Sequence, residues 1–375
     1  MDALMLPLNW QRVRLGDIGK PCMCKRVMKH QTTRYGEIPF YKIGTFGNTA
    51  DAFISKKLFL EYKTKYSFPK KGDILISASG TIGRAVIYDG KPAYFQDSNI
   101  VWIDNDETLV KNDFLFYAYS NVKWNTEHTT ILRLYNDNFR NTLIPLPPLN
   151  EQIAIANILG ALDRYLYALD ALILKKEGVK KALSFELLSQ RKRLKGFNQA
   201  WQRVRLGDIC EITTGSLDAN EMVHYGKYRF YTCAKEYYFI DKYAFDTEAI
   251  LISGNGAYVG YVHYYKGKFN AYQRTYVLDN FSEHIIFVKY FLTMFLQSHI
   301  QTNRNEGNTP YIVMATLKDF EIPLPPLNEQ IAIADILSAL DNEITSLKNK
   351  KRQFENIKKA LNHDLMSAKI RVLEK

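Results

Sequence analysis

Two short polar stretches carry the side chains best suited to molecular recognition. Tyr94-Phe95-Gln96-Asp97-Ser98-Asn99 and Asn270-Ala271-Tyr272-Gln273-Arg274-Thr275 offer amides and a guanidinium. In the major groove of a duplex, Asn and Gln amides match the donor and acceptor edge of adenine, and an Arg fork matches guanine. Each stretch follows a glycine-rich segment: Ser79, Gly80, Thr81, Gly83 and Arg84 lie within one, and Gly254, Asn255, Gly256 and Tyr258 within the other. Both segments, Gly72 to Tyr88 and Ala249 to Tyr264, read as strand, glycine turn, strand. Glycine supplies positive φ in such turns and lets backbone approach a groove closely. The candidate contact residues are therefore these nine together with Gln96, Ser98, Asn99, Tyr272, Gln273 and Arg274. Taken singly, each is an ordinary loop hydrogen bonder; parallel placement in two stretches singles them out.

Other chemistry is missing. A glycine loop after a strand invites a dinucleotide or methyl-donor reading, but here a second β-rich run follows where phosphate binding needs a helix N-terminus. There is no GxxxxGK[ST] loop and no HExxH, and the seven histidines form no triad or ligand set. The four cysteines, Cys22, Cys24, Cys210 and Cys233, contain no CxxC pair, so neither a zinc module nor a disulfide framework is expected. Met23 and Met28 beside Cys22 and Cys24 read as packing. Asn308-Thr309-Pro310-Tyr311 approaches the Asn/Asp-Pro-Pro-aromatic motif that holds a target amine, but it lacks the first proline. The residues alone leave three readings open: a non-enzymatic nucleic-acid reader, a free-standing amino-methyltransferase with degenerate motifs, and a coiled-coil adaptor for proteins. Neither a catalytic nor a metal residue is predicted.

Composition sides with the first reading. Lys and Arg total 50 against 39 acids, a net charge of +11, which favours a polyanionic partner. With 46% hydrophobic residues and 25 tyrosines, the chain has material for packed cores and is no disordered basic tail. The scarce cysteines fit a reducing compartment. The first ten residues lack the basic cluster and long apolar run of a signal peptide, and no run of about 18 apolar residues occurs. The expectation is a cytoplasmic protein with no membrane partner.

The elements that position the polar stretches come from an internal repeat. Trp10 to Ile18, WQRVRLGDI, recurs unchanged as Trp201 to Ile209, an offset of 191. Ile144 to Ala156, IPLPPLNEQIAIA, recurs as Ile322 to Ala334, an offset of 178. The frame is repeated; residues 19–143 and 210–321 between tag and hinge share little beyond the glycine turn. That pattern predicts two sites doing one job on different targets.

After each hinge the periodicity becomes helical. Asn150 and Asn328 suit an N-cap, with Glu151 and Glu329 in the first turn. Ile155, Leu159, Leu162, Leu166, Leu169 and Ile173 then step by four and three, as do Ile333, Leu337, Leu340, Ile344 and Leu347, followed by Phe354, Ile357, Leu361 and Leu365. Lys351 interrupts the second seam, and Gly178 weakens the first helix. Helices over residues 150–194 and 328–372 would each measure about 65 Å. Neither can bury its seam alone, and connectivity makes them run in opposite directions. The predicted fold is α+β: two mixed α/β domains joined by two long helices in an antiparallel coiled coil, a pseudo-twofold internal repeat. Outside the seam the helices are basic, with Lys175, Lys176, Lys180, Lys181, Arg191, Lys192, Arg193 and Lys195 on one, and Lys348, Lys350, Lys351, Arg352, Lys358 and Lys359 on the other.

The duplicated hinge, the duplicated tag and the glycine turns within Ile74 to Gly83 and Leu251 to Gly260 resemble those of the DNA-specificity subunits of type I restriction-modification systems. The resemblance covers nearly the whole chain. It implies target-recognition domains over residues 1–149 and 196–327, a central spacer helix over 150–195 and a C-terminal one over 328–375. Each domain would read half of an asymmetric bipartite site on double-stranded DNA. The helices would set the gap and dock two methyltransferase subunits, with Asn150, Glu151, Gln152, Leu159, Leu162, Leu166, Asn328, Glu329, Gln330, Leu337, Leu340 and Ile344 as spacer or docking residues. It further implies that this chain binds no cofactor. S-adenosylmethionine would sit on the methyltransferases, and ATP with magnesium on restriction subunits that translocate and cleave.

Overall fold

A computed structural model describes residues 7–128, 132–134, 136–302 and 310–372. The chain divides into two compact units, one of Met1–Asp170 with Lys350–Lys375, the other of Ala171–Asn349. In the first, the tag strand Gln11–Arg14 pairs antiparallel with the hinge strand Leu143–Leu146, Gln11 opposite Leu146. Pro145 is tolerated because this ribbon has only two strands and asks no further amide of it. Ile144 and Leu146 point into the core. Tag and hinge, the two repeated motifs, are thus one closure.

The ribbon closes an antiparallel sheet in the order Gly19–Met23, Ile100–Asn105, Ile74–Ser77, Ala85–Ile87. Ile74–Ser77 is buried throughout. Side chains alternate across a strand, so Ile74 and Ile76 enter one core with Val101, Ile103 and Phe114, while Leu75 enters another with Ile100, Trp102 and Tyr94. A three-stranded sheet of Phe53–Ile54, Ile38–Tyr41 and Tyr94–Phe95 lies beside it, the last pair parallel.

In the second unit, Gln202–Arg205 pairs with Glu321–Leu324 in the same register. Its sheet has six strands in the order Glu211–Thr214, Thr275–Asp279, Phe245–Ser253, Val262–Ala271, Tyr228–Tyr231, Tyr238–Ile240. The first four follow the order of the first unit. Ile250 and Ile252 again face one core, Ala249 and Leu251 the other. The segments that share little sequence therefore share a fold, because alternation of apolar residues, not their identity, places a strand between two cores.

The two long helices run Leu149–Leu188 and Leu327–Met366, starting one residue earlier and ending six residues sooner than the periodicity predicts. The carbonyls of Pro148 and Pro326 accept the amides of Glu151 and Gln152 and of Glu329 and Gln330, so Asn150 and Asn328 lie in the first turn and are not N-caps. Each Asn side chain instead accepts the amide of the following glutamate. Both helices stop before a left-handed residue, Gln190 at φ 62° and Ala368 at φ 56°, separated by the hinge offset of 178. Neither is glycine or asparagine, so the usual stop signal is absent.

The helices pair antiparallel within each unit. Ile155, Leu159, Leu169, Ile173, Ile333, Leu337, Ile344 and Leu365 are buried, and Leu162, Leu166 and Leu340 half-buried. Two expectations change. Ile357 is 50% exposed and lies off the seam, and Lys351 does not interrupt it. The four-three stepping runs unbroken through Lys351 and Lys358 on one helix and through Lys176 and Lys180 on the other, because each lysine finds a carboxylate across the seam: Lys351 with Asp170 at 2.7 Å, Lys176 with Glu343 at 2.8 Å, Lys358 with Asp163, and Lys180 with Asp341. Much of the helices' basic surface is thereby neutralised internally, since Lys348 also pairs with Glu177, Lys192 with Glu186, and Arg193 with Glu329.

The hinge glutamates are the most buried charges. Glu151 is 2% exposed and Glu329 0%. Arg371 donates to Glu151 through Nε at 2.7 Å and Nη2 at 3.0 Å, and Trp10 Nε1 donates at 3.0 Å. Arg193 donates to Glu329 through Nε at 3.1 Å and Nη2 at 2.5 Å, and Trp201 Nε1 at 3.2 Å. Gln152 and Gln330 complete each hinge: their carboxamide oxygens accept the amides of Lys111 and His284, and their NH2 groups donate to the carbonyls of Pro147 and Pro325.

Removing a buried partner strands the other charge, at a cost of about 3–5 kcal/mol. Glu329→Ala is expected to lower the urea midpoint accordingly, because Arg193 and the Trp201 N–H lose their acceptor; an unchanged midpoint contradicts this. Gly178 lies inside the first long helix with no atom within 4 Å of an added Cβ. Gly178→Ala is expected to stabilise by about 0.5–1 kcal/mol, read as a raised midpoint.

Candidate nucleic-acid interface

The candidate residues meet on one backbone frame, built once in each unit. In the first, Ser77 N–H donates to the Arg84 carbonyl (3.0 Å) and Gly83 N–H to that of Ser77 (2.9 Å), closing the turn. Gly83 sits at φ 85°, and a Cβ there would lie 2.1 Å from Trp124 Nε1. The polar stretch joins through Ala78 N–H to the Asn99 carbonyl (2.7 Å), and a third segment through Leu134 N–H to the Ala78 carbonyl (2.9 Å). Ser79 is bridged with Arg133.

The second frame repeats these bonds. Ser253 N–H donates to the Tyr261 carbonyl (3.0 Å) and Gly260 N–H to that of Ser253 (2.7 Å). Gly254 N–H donates to the Arg274 carbonyl (2.8 Å), and Ile312 N–H to the Gly254 carbonyl (2.9 Å). Asn255 is bridged with Tyr311, and Gly256 N–H donates to the Pro310 carbonyl (2.9 Å). An added Cβ on Gly254 would lie 2.3 Å from the Arg274 carbonyl oxygen, so the close approach requires glycine. Arg274 occupies the frame position that Asn99 holds in the first unit.

The side chains divide by employment. Gln96 Oε1 accepts the amide of Ile43, Arg84 Nη1 donates to the Phe46 carbonyl, and buried Ser79 donates to Asn99 Oδ1; these three brace the loops. Gly80, Thr81 and Ser98 are exposed in the first unit, as are Tyr258, Gln273 and Arg274 in the second. The Gln273 amide is held by the Leu217 carbonyl and the Thr275 amide by that of Tyr272, so the turn presenting Gln273 and Arg274 is fixed through its backbone. Tyr258 lies under Lys235 Nζ, 5.1 Å from the ring centroid. Gly256 stands at φ 79° in open space.

Sequence reasoning missed the third segment, Arg133–Leu134 and Pro310–Ile312, since neither part carries a repeated motif. The near-motif at Asn308 is only partly visible: Asn308 and Thr309 lie outside the described residues, and Pro310 serves the glycine turn. It also missed the stack of Arg229 between Tyr237 and Tyr265, with Cζ 4.3 and 4.4 Å from the ring centroids.

Burial pushes the thiols of Cys24 and Cys210 up to about 12, which leaves neither a thiolate at neutral pH. Burial also lowers His263, whose ring nitrogen contacts the Ala234 carbonyl. Among the described residues no group of three His, Cys, Asp or Glu side chains could hold a metal, and no helix is long and apolar enough to cross a membrane.

Each unit also carries a groove between its helix pair and a domain helix. The first, about 830 Å³, is lined by Tyr117, Ser120, Leu166, Glu355, Lys358 and Lys359, among others. The second, about 340 Å³, is lined by Tyr290, Thr293, Ile344, Glu177, Lys180 and Lys181, among others. Leu166 and Ile344, Glu355 and Glu177, Lys358 and Lys180, and Lys359 and Lys181 are related by the hinge offset, so the two grooves are one device used twice.

A family model described as the type I restriction modification DNA specificity domain matches twice, over residues 7–176 and 198–356. The chain belongs to this family. A candidate type I restriction enzyme specificity subunit of Haemophilus influenzae is 64% identical over 152 residues, 40% of each chain. The EcoDI specificity subunit of Escherichia coli is 40% identical over 162 residues, 42% of this chain and 35% of that one. The chain thus matches well under half the length of these two relatives. The MjaVIII specificity subunit of Methanocaldococcus jannaschii is 26% identical over 421 residues, covering 99% of this chain and 95% of that one. Among solved structures, the S subunit of a type I system from M. genitalium superposes with a TM-score of 0.66 at 18% identity, covering 97% of this chain and 98% of that one. A chain from a structural study of type I system assembly reaches 0.57, also at 18% identity. The specificity-family fold, two α/β repeats with paired long helices, is thereby shared across the chain.

Proposed function

We propose that the chain is the non-catalytic specificity subunit of a type I restriction-modification complex, each recognition domain reading one half of a bipartite site on double-stranded DNA. The observation that carries this reading is the duplicated frame with unlike side chains. The same backbone bonds hold Asn99 in one unit and Arg274 in the other, and those side chains favour adenine and guanine respectively. One way of approaching DNA with two alphabets is what two unlike half-sites require. The recognition domains are residues 1–149 and 196–327, and residues 150–195 and 328–375 are the spacers that set the gap.

The duplicated grooves support docking of two copies of one partner, the methyltransferase subunits. Both grooves combine lysines with apolar walls and glutamates, Glu355 in one and Glu177 in the other, a lining that suits a protein segment better than phosphate. Catalysis, with S-adenosylmethionine for methylation and ATP with magnesium for translocation and cleavage, belongs to methyltransferase and restriction subunits. Methyl transfer to DNA by the purified chain alone would overturn this assignment.

Replacing Arg274 by Ala is expected to relax discrimination at one base of one half-site by about 1–3 kcal/mol and to leave the other half-site unchanged. Genome-wide mapping of modified bases in a strain carrying the variant with its methyltransferase reads this; an unaltered motif counts against it. Reversing one groove with Lys359→Glu is expected to reduce the methyltransferase copies per chain from two to one in native mass spectrometry. Retention of both copies would remove the groove as the docking site.

A further inference from the structure

The seam of the paired helices contains four lysines, and two of them do more than pair across it. Asp163 and Asp341, one hinge offset apart, each receive a tyrosine hydroxyl from a domain helix: Tyr117 Oη to Asp163 Oδ2 at 2.7 Å, and Tyr290 Oη to Asp341 Oδ2 at 2.7 Å. The other carboxylate oxygen of each takes the seam lysine of the opposite helix, Lys358 for Asp163 and Lys180 for Asp341. Each lysine lies 5.5 Å from the ring centroid of the same tyrosine. The two lysine side chains are 25% and 28% exposed. Each cluster thus ties three elements: a recognition domain through Tyr, the adjacent helix through Asp and the opposite helix through Lys. Burial would raise the Asp341 carboxyl, but Lys180, Tyr290 and Lys289 hold it below its usual range, and burial raises the Tyr290 and Tyr117 phenols.

We propose that Tyr117–Asp163–Lys358 and Tyr290–Asp341–Lys180 are register keys that pin each recognition domain to one heptad of the helix pair and so make the gap between half-sites single-valued. A seam of Leu and Ile accepts a shift of seven residues with its apolar faces still matched, whereas a charged seam position is satisfied only in a register that brings it an opposite charge. Lys180 with Asp341, Asp170 with Lys351, and Asp163 with Lys358 join residues whose numbers add to the same total, as one antiparallel register demands. A shift of one heptad would set Lys180 against Lys348 or Ala334 and Asp341 against Leu187 or Ile173, while Lys351 would still meet Glu177 or Asp163 and Lys358 would meet Asp170 or Ala156, so Lys180 and Asp341 carry most of the discrimination. Half-buried polar positions of this kind can give up stability for a unique alignment. Lys180 and Lys358 are positioning residues: they act through the domains they fix and need touch no DNA. The functional consequence rests on the spacer reading above, but the alignment itself can be measured without it.

The test replaces both lysines by leucine and reads the alignment by disulfide trapping. Leu166→Cys is combined with Phe354→Cys, which reports the native register, or with Leu361→Cys, which reports a shift of one heptad, and the bridged peptides are identified by mass spectrometry. In the parent chain only the 166–354 bridge is expected. In Lys180→Leu/Lys358→Leu the 166–361 bridge is expected to appear, with the thermal midpoint unchanged or raised. Because both lysines also line the docking grooves, the modified sites in cells are read, and expected to spread over more than one gap length, once native mass spectrometry shows both methyltransferase copies retained. Lys180→Arg/Lys358→Arg is expected to restore a single bridge and a single gap. If the double leucine variant does not fold, Lys180→Leu alone is read in the same way. A folded leucine variant that gives only the 166–354 bridge, or keeps one gap length, overturns the proposal. A parent chain that yields no bipartite motif at all argues against the specificity reading, leaving the trapping result to judge the keys.

Discussion

Two buried carboxylates govern how this chain closes. Glu151 and Glu329 begin the long helices, and each is satisfied by the tail of the opposite helix, Arg371 for one and Arg193 for the other. Charge at that depth is tolerated only when paired and fully hydrogen-bonded, so the helices have to return to these points for either hinge to be stable. The indole of the tag supplies the remaining donor. One interaction thereby fixes strand closure, helix direction and helix end together. That is why tag and hinge, separated by more than a hundred residues, stay nearly identical between the repeats while the sequence between them changes.

The recognition frame follows a similar economy. Its turns are held by backbone groups: the amides of Ala78 and Gly254 reach the Asn99 and Arg274 carbonyls, and the carbonyls of Ala78 and Gly254 accept from Leu134 and Ile312. Side chains are asked for little, apart from the glycines at the closest approaches. A site built this way keeps its geometry when its exposed residues are exchanged.

Much of this was legible in the sequence because it rests on periodicity and repetition. The heptads gave paired helices, the offsets gave two units, and strand, glycine turn, strand gave the hairpins. The glycine turns and the polar stretches after them do meet. The helix ends were not legible, because Gln190 and Ala368 adopt left-handed backbone without the residue types that announce it. Nor was the role of Lys351 or Lys358: a lysine in a heptad reads as an interruption until its partner across the seam is known, and that partner is over 180 residues distant. Gln96 and Arg84 read as contact residues by chemistry alone, and Gln96 Oε1 and Arg84 Nη1 also brace neighbouring loops, a role that depends on tertiary neighbours.

The seam lysines change the meaning of the net charge. A surplus of +11 invites the inference of a strongly electrostatic grip on DNA, but Lys176, Lys180, Lys348, Lys351 and Lys358 are each neutralised by a carboxylate of the opposite helix. Cations already paired in this way displace few counterions from a duplex. On the proposed reading, the number of ions released on binding DNA, and with it the slope of affinity against salt, would be set by the loops far more than by the basic appearance of the helices.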